Sequence, residues 1–350
     1  MNATAPVVAR LRDPSQLVAA LPYLLGFHPC DSLVVVTIQP GSPPTVGLVL
    51  RADLPPPGHE HELAEQFCAP LRARGTDAAM LVVIGGQECV PAAAAVLRAA
   101  LAEQGVVVAH AVWAASTASG ARWACLDEPD CAGELPDPDA SPLAAAAAAS
   151  GLVTFTGREE LQRLVAPDDD AALQRRAHLL DAAVQDAAAD SGDPAAVARD
   201  VRLVRAAVAA AADGRLPTDD HEVVRLAVAL SEPLVRDCCL GLCLGGTARA
   251  AEQLWLALTR ATLAPEVAEP ATLAALSAYL RGDGALAGMA LDRAIQAWPG
   301  HNLSTLLDHV LRTAVPPGRL AQFVADATAD AELGLVEEGG CVVRPVPGCG

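Results

Sequence analysis

Apolar and polar positions change their period twice along this chain. Residues 14–25 (PSQLVAALPYLL) follow Asp13, a candidate N-cap, and place Pro14 at the first helical position, so a short helix is predicted that Pro22 should kink or end. From Asp31 the text turns Val-rich. DSLVVVTIQ and, from Thr45, TVGLVLRADL flank the turn-forming PGSPP, which predicts a β-hairpin with a longish loop. HEHELAEQFCAPLRARG then carries Leu63, Phe67 and Leu71 at helical spacing, before the buried-strand run AAMLVVI that ends at Ile84. Gly85 and Gly86 break that strand. VPAAAAVLRAALAEQG reads as a helix, GVVVAHAVWA as a strand, and GARWACL, after the turn AASTASG, as a last strand. The expectation is an α/β N-terminal domain over residues 1–126, a mixed sheet of order ββαβαββ.

The period then disappears. Residues 127–142 are rich in Pro, Asp and Glu and read as an acidic linker. Beyond it, GREELQRLVAP, DDDAALQRRAHLLDAAVQDAAAD, DPAAVARDVRLVRAAVAAAADG and DDHEVVRLAVAL each start near Gly, Asp or Pro and space their apolar residues by three and four. An all-α domain is expected over residues 143–335, with a tail at 336–350. Its last third shows a weak 34-residue period: Gly241 aligns with Ala275 and Pro265 with Pro299. Ala275, Ala287 and Ala294 stand before Pro299 at the spacing of small residues in a tetratricopeptide repeat. A plain helical bundle with an accidental period is the competing reading.

LPYLLGFHPCDSLVVV (Leu21–Val36), GARWACLDEPDC (Gly120–Cys131), SPLAAAAAASG (Ser141–Gly151) and RGDGALAGMALDRAI (Arg281–Ile295) closely resemble an uncharacterised family of actinomycete proteins catalogued only as a domain of unknown function. The resemblance spans nearly the whole chain. It implies membership, and no activity, substrate or catalytic residue. In that family the strand around Trp123 is richer in aromatics and the cysteine at Cys131 is usually doubled, whereas Ala124 and Ala132 stand here, which counts against a metal role for those cysteines.

Composition narrows the function classes. Aromatics are 3% of the 350 residues, so binding by base or ring stacking is not expected. Acidic residues outnumber basic ones 42 to 24, and a formal charge of −18 repels phosphate backbones and anionic lipid heads; neither nucleic acid nor membrane is an expected partner. Lysine does not occur, which excludes a Walker lysine and a Schiff-base lysine. The N-terminus lacks a signal-peptide pattern and the longest apolar window, Pro142–Phe155, is too short for a span, so the cytoplasm is the expected location.

The hairpin places Asp31 and Ser32 opposite Arg51 and Ala52. Crossovers make strands 79–84 and 106–114 parallel to 45–53, so the ends at Gly85–Gly86 and Ser116–Thr117 share one edge with Arg122, where the last strand starts. Open α/β sheets bind ligands outside such carboxyl ends, so His28, Asp31, Ser32, Arg51, Asp53, Gly85, Gly86 and Arg122 form one candidate ligand-binding site. Arg51 and Arg122 would be its cationic centre, suited to an anionic small molecule or an acidic peptide end. The competing account is purely structural: His28–Pro29 and Asp31 cap a loop, Arg51 pairs with Asp53 or Asp31, and the glycines turn the chain.

Other motifs are weaker. His28, Ser32 and Asp31 or Asp53 contain the letters of a hydrolase triad but lack a G-x-S-x-G elbow. Two glycines before a helix at 85–90 offer amides to an anion, against Glu88. HEHE at 59–62 is explained by the helix dipole, and no C-x₂-C pair supports zinc; no metal and no cofactor are expected. Most cysteines should be reduced and buried, Cys238, Cys239 and Cys243 above all, while Cys125 and Cys131 bracket an acidic loop and leave a redox-sensitive pair open. Leu254, Trp255 and Leu258 read as core. Two functions follow: a non-enzymatic interaction or regulatory protein that takes a protein or peptide partner in a helical repeat-like groove, or a small-molecule sensor or enzyme using the polar sheet edge.

Overall fold

The computed structural model describes residues 13–41, 45–56, 58–85, 90–149, 153–190 and 193–339. The chain divides into two compact units, Met1–Leu161 with Arg312–Ala314, and Gln162–Leu311 with Val315–Gly350.

The first unit runs α1 (Pro14–Leu25), β1 (Ser32–Gln39), β2 (Thr45–Asp53), α2 (Glu60–Arg74), β3 (Ala78–Ile84), α3 (Val90–Glu103), β4 (Val107–Ala114), β5 (Arg122–Cys125), β6 (Ala132–Glu134), a 3₁₀ turn at Pro138–Ala140, α4 (Pro142–Ala149) and α5 (Arg158–Gln162). The Asp13 side chain accepts from the Gln16 N–H, as an N-cap does. Pro22 does not end α1. It lies in the last turn, and the helix stops only at Gly26, whose φ of 80° no branched residue adopts easily.

The sheet has six strands in the order β2-β1-β3-β4-β5-β6. Only β3 and β4 are parallel neighbours; β1 is antiparallel to both β2 and β3, and β5 to both β4 and β6. The expected five-stranded order therefore gains a strand, inside the stretch read as a linker. Ala132–Glu134 is three exposed residues without apolar alternation, and it becomes a strand because the chain reverses at 126–131 and pairs Trp123 with Gly133.

Central β3 explains its own unbroken apolar run. Leu81 and Val83 point into one core with Leu63, Phe67 and Leu71 of α2 and Leu97 and Leu101 of α3. Met80, Val82 and Ile84 point into another with Leu17, Val18 and Leu21 of α1. Alternate side chains leave a strand on opposite faces, so a strand covered on both needs no polar positions. Each such Leu or Val contributes roughly 1.5–3 kcal/mol of burial. At the edge strand β2, the register with β1 slips between Val36 and Ile38. There Leu48 N–H donates to Thr37 Oγ1 at 2.6 Å, and a Cβ on Gly47 would lie 2.6 Å from the same oxygen.

The second unit is helical: α6 (Asp170–Ala189), α7 (Pro194–Ala212), α8 (Asp220–Ser231), α9 (Pro233–Leu240), 3₁₀ turns at Gly241–Cys243 and Gly245–Thr247, α10 (Ala248–Ala261), α11 (Ala268–Arg281), α12 (Gly284–Ala297), α13 (Asn302–Arg312) and α14 (Pro317–Gly339). Asp169, Asp193, Asp219 and Asp283 cap α6, α7, α8 and α12 with side-chain acceptors, so the Asp-rich starts read from the sequence mark real helix ends. α11 and α13 begin 34 residues apart, preceded by Pro265 and Pro299. Gly241, however, sits in a 3₁₀ turn and Ala275 inside α11, so that half of the expected alignment does not pair equivalent positions. Ala275, Ala287 and Ala294 are all buried. Trp255, Leu254 and Leu258 are core, with no exposed surface.

Candidate functional site

The strand directions bring one row of residues to one end of the sheet: Asp53 on β2, Ser32 on β1, Ile84 on β3, Ala114 on β4 and Trp123 on β5. The carboxyl ends of β2, β3 and β4 and the starts of β1 and β5 all lie there, as the crossover argument requires.

Arg51 is the centre of this end. Its Nε donates to Ser32 Oγ at 2.9 Å, its Nη2 meets Asp53 Oδ1 at 2.5 Å and the Cys30 carbonyl at 3.5 Å, and its guanidinium carbon lies 5.6 Å from the Phe27 ring centre. The side chain is 12% exposed. Ser32 Oγ donates in turn to the Cys30 carbonyl at 2.6 Å. Asp53 Oδ2 also lies 4.0 Å from Arg158 Nη1 at the start of α5. The guanidinium thus has a carboxylate, a hydroxyl, a carbonyl and a ring face around it.

His28 lies beside this network and is bonded elsewhere: its backbone N–H donates to the Phe155 carbonyl at 3.1 Å, and its ring Nδ1 is 3.0 Å from Thr117 Oγ1. The Ser32 hydroxyl proton is committed to a carbonyl and the His28 ring to Thr117, so a serine triad is not assembled. Asp31 adopts a left-handed backbone, φ 41°, unusual for a residue with a Cβ. It packs on Gly85, φ 73°, whose own N–H donates to the Ala114 carbonyl at 2.9 Å and whose carbonyl accepts from Trp113 Nε1 at 2.9 Å. Gly86 lies outside the described residues.

Arg122 does not join Arg51, and the expected cationic centre is corrected here. Arg51 pairs with Val34 and shares its face of the sheet, the α1 side. Trp123 and Ala121 pack on that same core, so Arg122 between them takes the opposite face. Four interstrand steps, about 19 Å at ~4.8 Å each, also separate β2 from β5. The strand directions agree with the expectation; the convergence of the two arginines does not. Phe27 and Arg158 were not among the expected site residues, and Thr117 was expected only as the end of a strand at this edge. Phe27 adjoins His28 in the text, but nothing local marks Arg158.

A cleft of about 420 Å³ lined by Arg98, Ala102, Gly105 and Val106–Val108 lies at the start of β4, the opposite end of the sheet. Arg98 there makes a bidentate pair with Asp127, 2.6 Å to each oxygen, and its guanidinium holds that carboxyl below the usual carboxylate range. His59 and Glu62 of HEHE are exposed, 3.2 Å apart at the start of α2. Among the described residues, no three His, Cys, Asp or Glu side chains are grouped as metal ligands would be.

In the helical unit the chemistry is buried. Cys238, Cys239 and Cys243 are enclosed, and desolvation pushes the thiols of Cys238 and Cys243 up to about 11 and that of Cys239 higher still. His301 precedes α13: its Nδ1 accepts from the Ser304 N–H at 3.2 Å, and its Nε2 lies 3.0 Å from Glu269 Oε1 on α11. Arg236 reaches the same carboxylate oxygen at 3.3 Å. This pins the start of α13. Along that helix Leu303, Leu306, Leu307, Val310 and Leu311 recur at three- and four-residue spacing, yet only Leu307 of them is buried, and Leu306 is 58% exposed. Leu311 seats against Gly284 and Gly288 of α12, where added Cβ atoms would stand 3.9 and 3.7 Å from its methyls.

A two-part chain of mixed α/β sheet and helical array, with no helix among the described residues long and apolar enough to cross a membrane, is the class that these features define. The chain belongs to the family described as a domain of unknown function, DUF4192, which it matches over residues 14–318. No curated protein and no solved structure matches it.

Proposed function

We propose that the protein is a non-enzymatic interaction or regulatory protein of the cytoplasm. Its helical region acts as a tetratricopeptide-like array and takes an amphipathic helix of a protein partner along α13. The observation that carries this is the exposure of Leu306 in an apolar stripe whose other side, Leu307 and Leu311, is seated in the helical unit. Stacked helical hairpins bury a continuous core, and an apolar face left outside that core is open to a partner helix. A partner helix with basic flanks suits a chain of formal charge −18. Affinity capture from a native lysate, parent beside Leu306→Asp, tests the reading. Partners held by the parent should be lost from the variant while its thermal unfolding changes little, by about 0.5 kcal/mol; an unchanged set of partners overturns it.

A second reading, a small-molecule sensor or enzyme using the polar sheet end for an anionic ligand, draws support from the two left-handed residues there, Asp31 and Gly85. It is tested by anion-induced thermal shifts of the parent, Arg51→Ala and Arg122→Ala across phosphates, nucleotides and carboxylates. Shifts lost in Arg51→Ala favour it; no shift in the parent removes it.

A further inference from the structure

We propose that Cys125 and Cys131 are a reversible thiol–disulfide modification site that sets whether the acidic loop between them is held on α3. The two residues close the β5–β6 hairpin and are joined as a disulfide, with Cα atoms 5.4 Å apart and the Cys125 N–H donating to the Cys131 carbonyl at 2.7 Å. Both are half-buried, within reach of a small thiol. Cys68, Cys238, Cys239 and Cys243 are buried instead, and desolvation raises each thiol, so little reactive thiolate forms on them.

The hairpin does not depend on the bond. Backbone pairs from Gly120 N–H to the Leu135 carbonyl and from Leu135 N–H to the Ala121 carbonyl, together with the β5–β6 ladder, hold it closed. A ring with a sequence separation of only 6 also constrains the unfolded chain less than a long loop would. A cross-link that the fold does not need is free to exchange.

What the ring controls is Asp127. It lies between the two cysteines and takes both guanidinium nitrogens of Arg98, a residue that also lines the cleft beside Gly105 and Val106–Val108. Closing the ring narrows the conformations open to residues 126–130 and keeps the carboxylate on Arg98. Opening it frees the loop and uncovers the Arg98 charge at the cleft mouth.

The chemistry balances with a low-molecular-weight disulfide as oxidant. One cysteine thiolate attacks it and releases one small thiol, and the second cysteine attacks the mixed disulfide and releases another. Two protein thiols thereby become one S–S bond, and two electrons pass to the small disulfide, which leaves as two thiols. Excess small thiol reverses both steps.

The test takes the full chain through glutathione buffers from fully reduced to fully oxidised, quenches with an alkylating agent and weighs the peptides, with hydrogen exchange of residues 126–130 measured at both ends. We expect Cys125 and Cys131 to convert together in one two-electron transition within that range, and loop exchange to rise several-fold on reduction. Cys131→Ser should show the fast exchange at every ratio; should that variant not fold, the reduced parent supplies the same comparison. A pair that stays in one form throughout, a glutathione adduct in place of the internal bond, or equal loop exchange in both forms overturns the proposal.

Discussion

Gly85 and Asp31 approach so closely that a Cβ on Gly85 would stand 2.5 Å from Asp31 Oδ1 and 3.2 Å from the Asp31 backbone nitrogen. The carboxylate could swing aside; the backbone nitrogen cannot. Gly85 is also at φ 73°, a region that costs a side-chain-bearing residue of order 1 kcal/mol or more. Gly85→Ala is expected to lower stability by about 1–3 kcal/mol in urea or thermal unfolding. Equal midpoints for parent and variant would show that β1 and β3 do not meet this way.

Gly288 makes the opposite case. It lies inside α12, and an added Cβ meets only a Leu311 methyl at 3.7 Å, an ordinary contact. Alanine also restricts the unfolded chain more than glycine does. Gly288→Ala should therefore stabilise by about 0.5–1 kcal/mol, read as a higher melting temperature. A fall instead would mean that α12 and α13 leave no room.

Arg176 caps a helix from a distance. Its side chain is 9% exposed, donates from Nη1 to the Ala261 carbonyl at 3.1 Å and to Asp168 at 2.7 Å, and from Nε to Asp220 at 2.8 Å. Arg293 Nε meets the Thr259 carbonyl at 3.2 Å and the Asp168 N–H meets that of Arg260 at 2.9 Å, so the orphan carbonyls at the end of α10 are taken by two guanidiniums and an amide. Removing Arg176 takes the guanidinium from Asp168 and the Ala261 carbonyl and leaves Asp220 with Arg175 alone. Arg176→Leu should cost about 3 kcal/mol, the low end of the range for breaking a buried pair on one side, because Asp168 and Asp220 keep some contact with water. Arg176→Lys should recover little, since an ammonium cannot serve three acceptors in a fork.

Asp220 gives that network a pH dependence. Hydrogen bonds from Arg175 and Arg176 favour its charged form in the folded state, so its pKa lies below the unfolded value. The sign follows: the stabilisation is present above the unfolded pKa, ~3.9 for an aspartate, and is lost as pH falls through the folded value. Parent and Asp220→Asn should differ most at neutral pH and converge under strong acid. A difference that persists undiminished in acid would place the effect of the substitution in packing.

Much of the local structure was readable in the chain. Asp13, Asp169, Asp193 and Asp219 stand just before helical periods and cap those helices, because capping is a contact between residues two or three apart. The run AAMLVVI announced a strand buried on both faces, and the strand directions followed from crossover connections. β6 was invisible because three residues, Ala132–Glu134, carry no period; their pairing comes from the reversal at 126–131.

The sequence by itself determined most of the helices and strands, the caps at Asp13, Asp169, Asp193 and Asp219, the acidic charge and the meeting of strand ends at Ser32, Asp53 and Gly85. Propensity, periodicity and capping act within a few residues, and each can be read in a short window. Only the tertiary structure decided that Arg51 spends its charge on Asp53, Ser32 and Phe27, that Arg122 stands on the other face some four strands away, and that Arg176 closes the end of a helix far along the chain. Those outcomes depend on which side of the pleat a residue takes and on which distant segment arrives beside it. An arginine reads the same in the text whether its neighbour in space is a carboxylate, a ring or water.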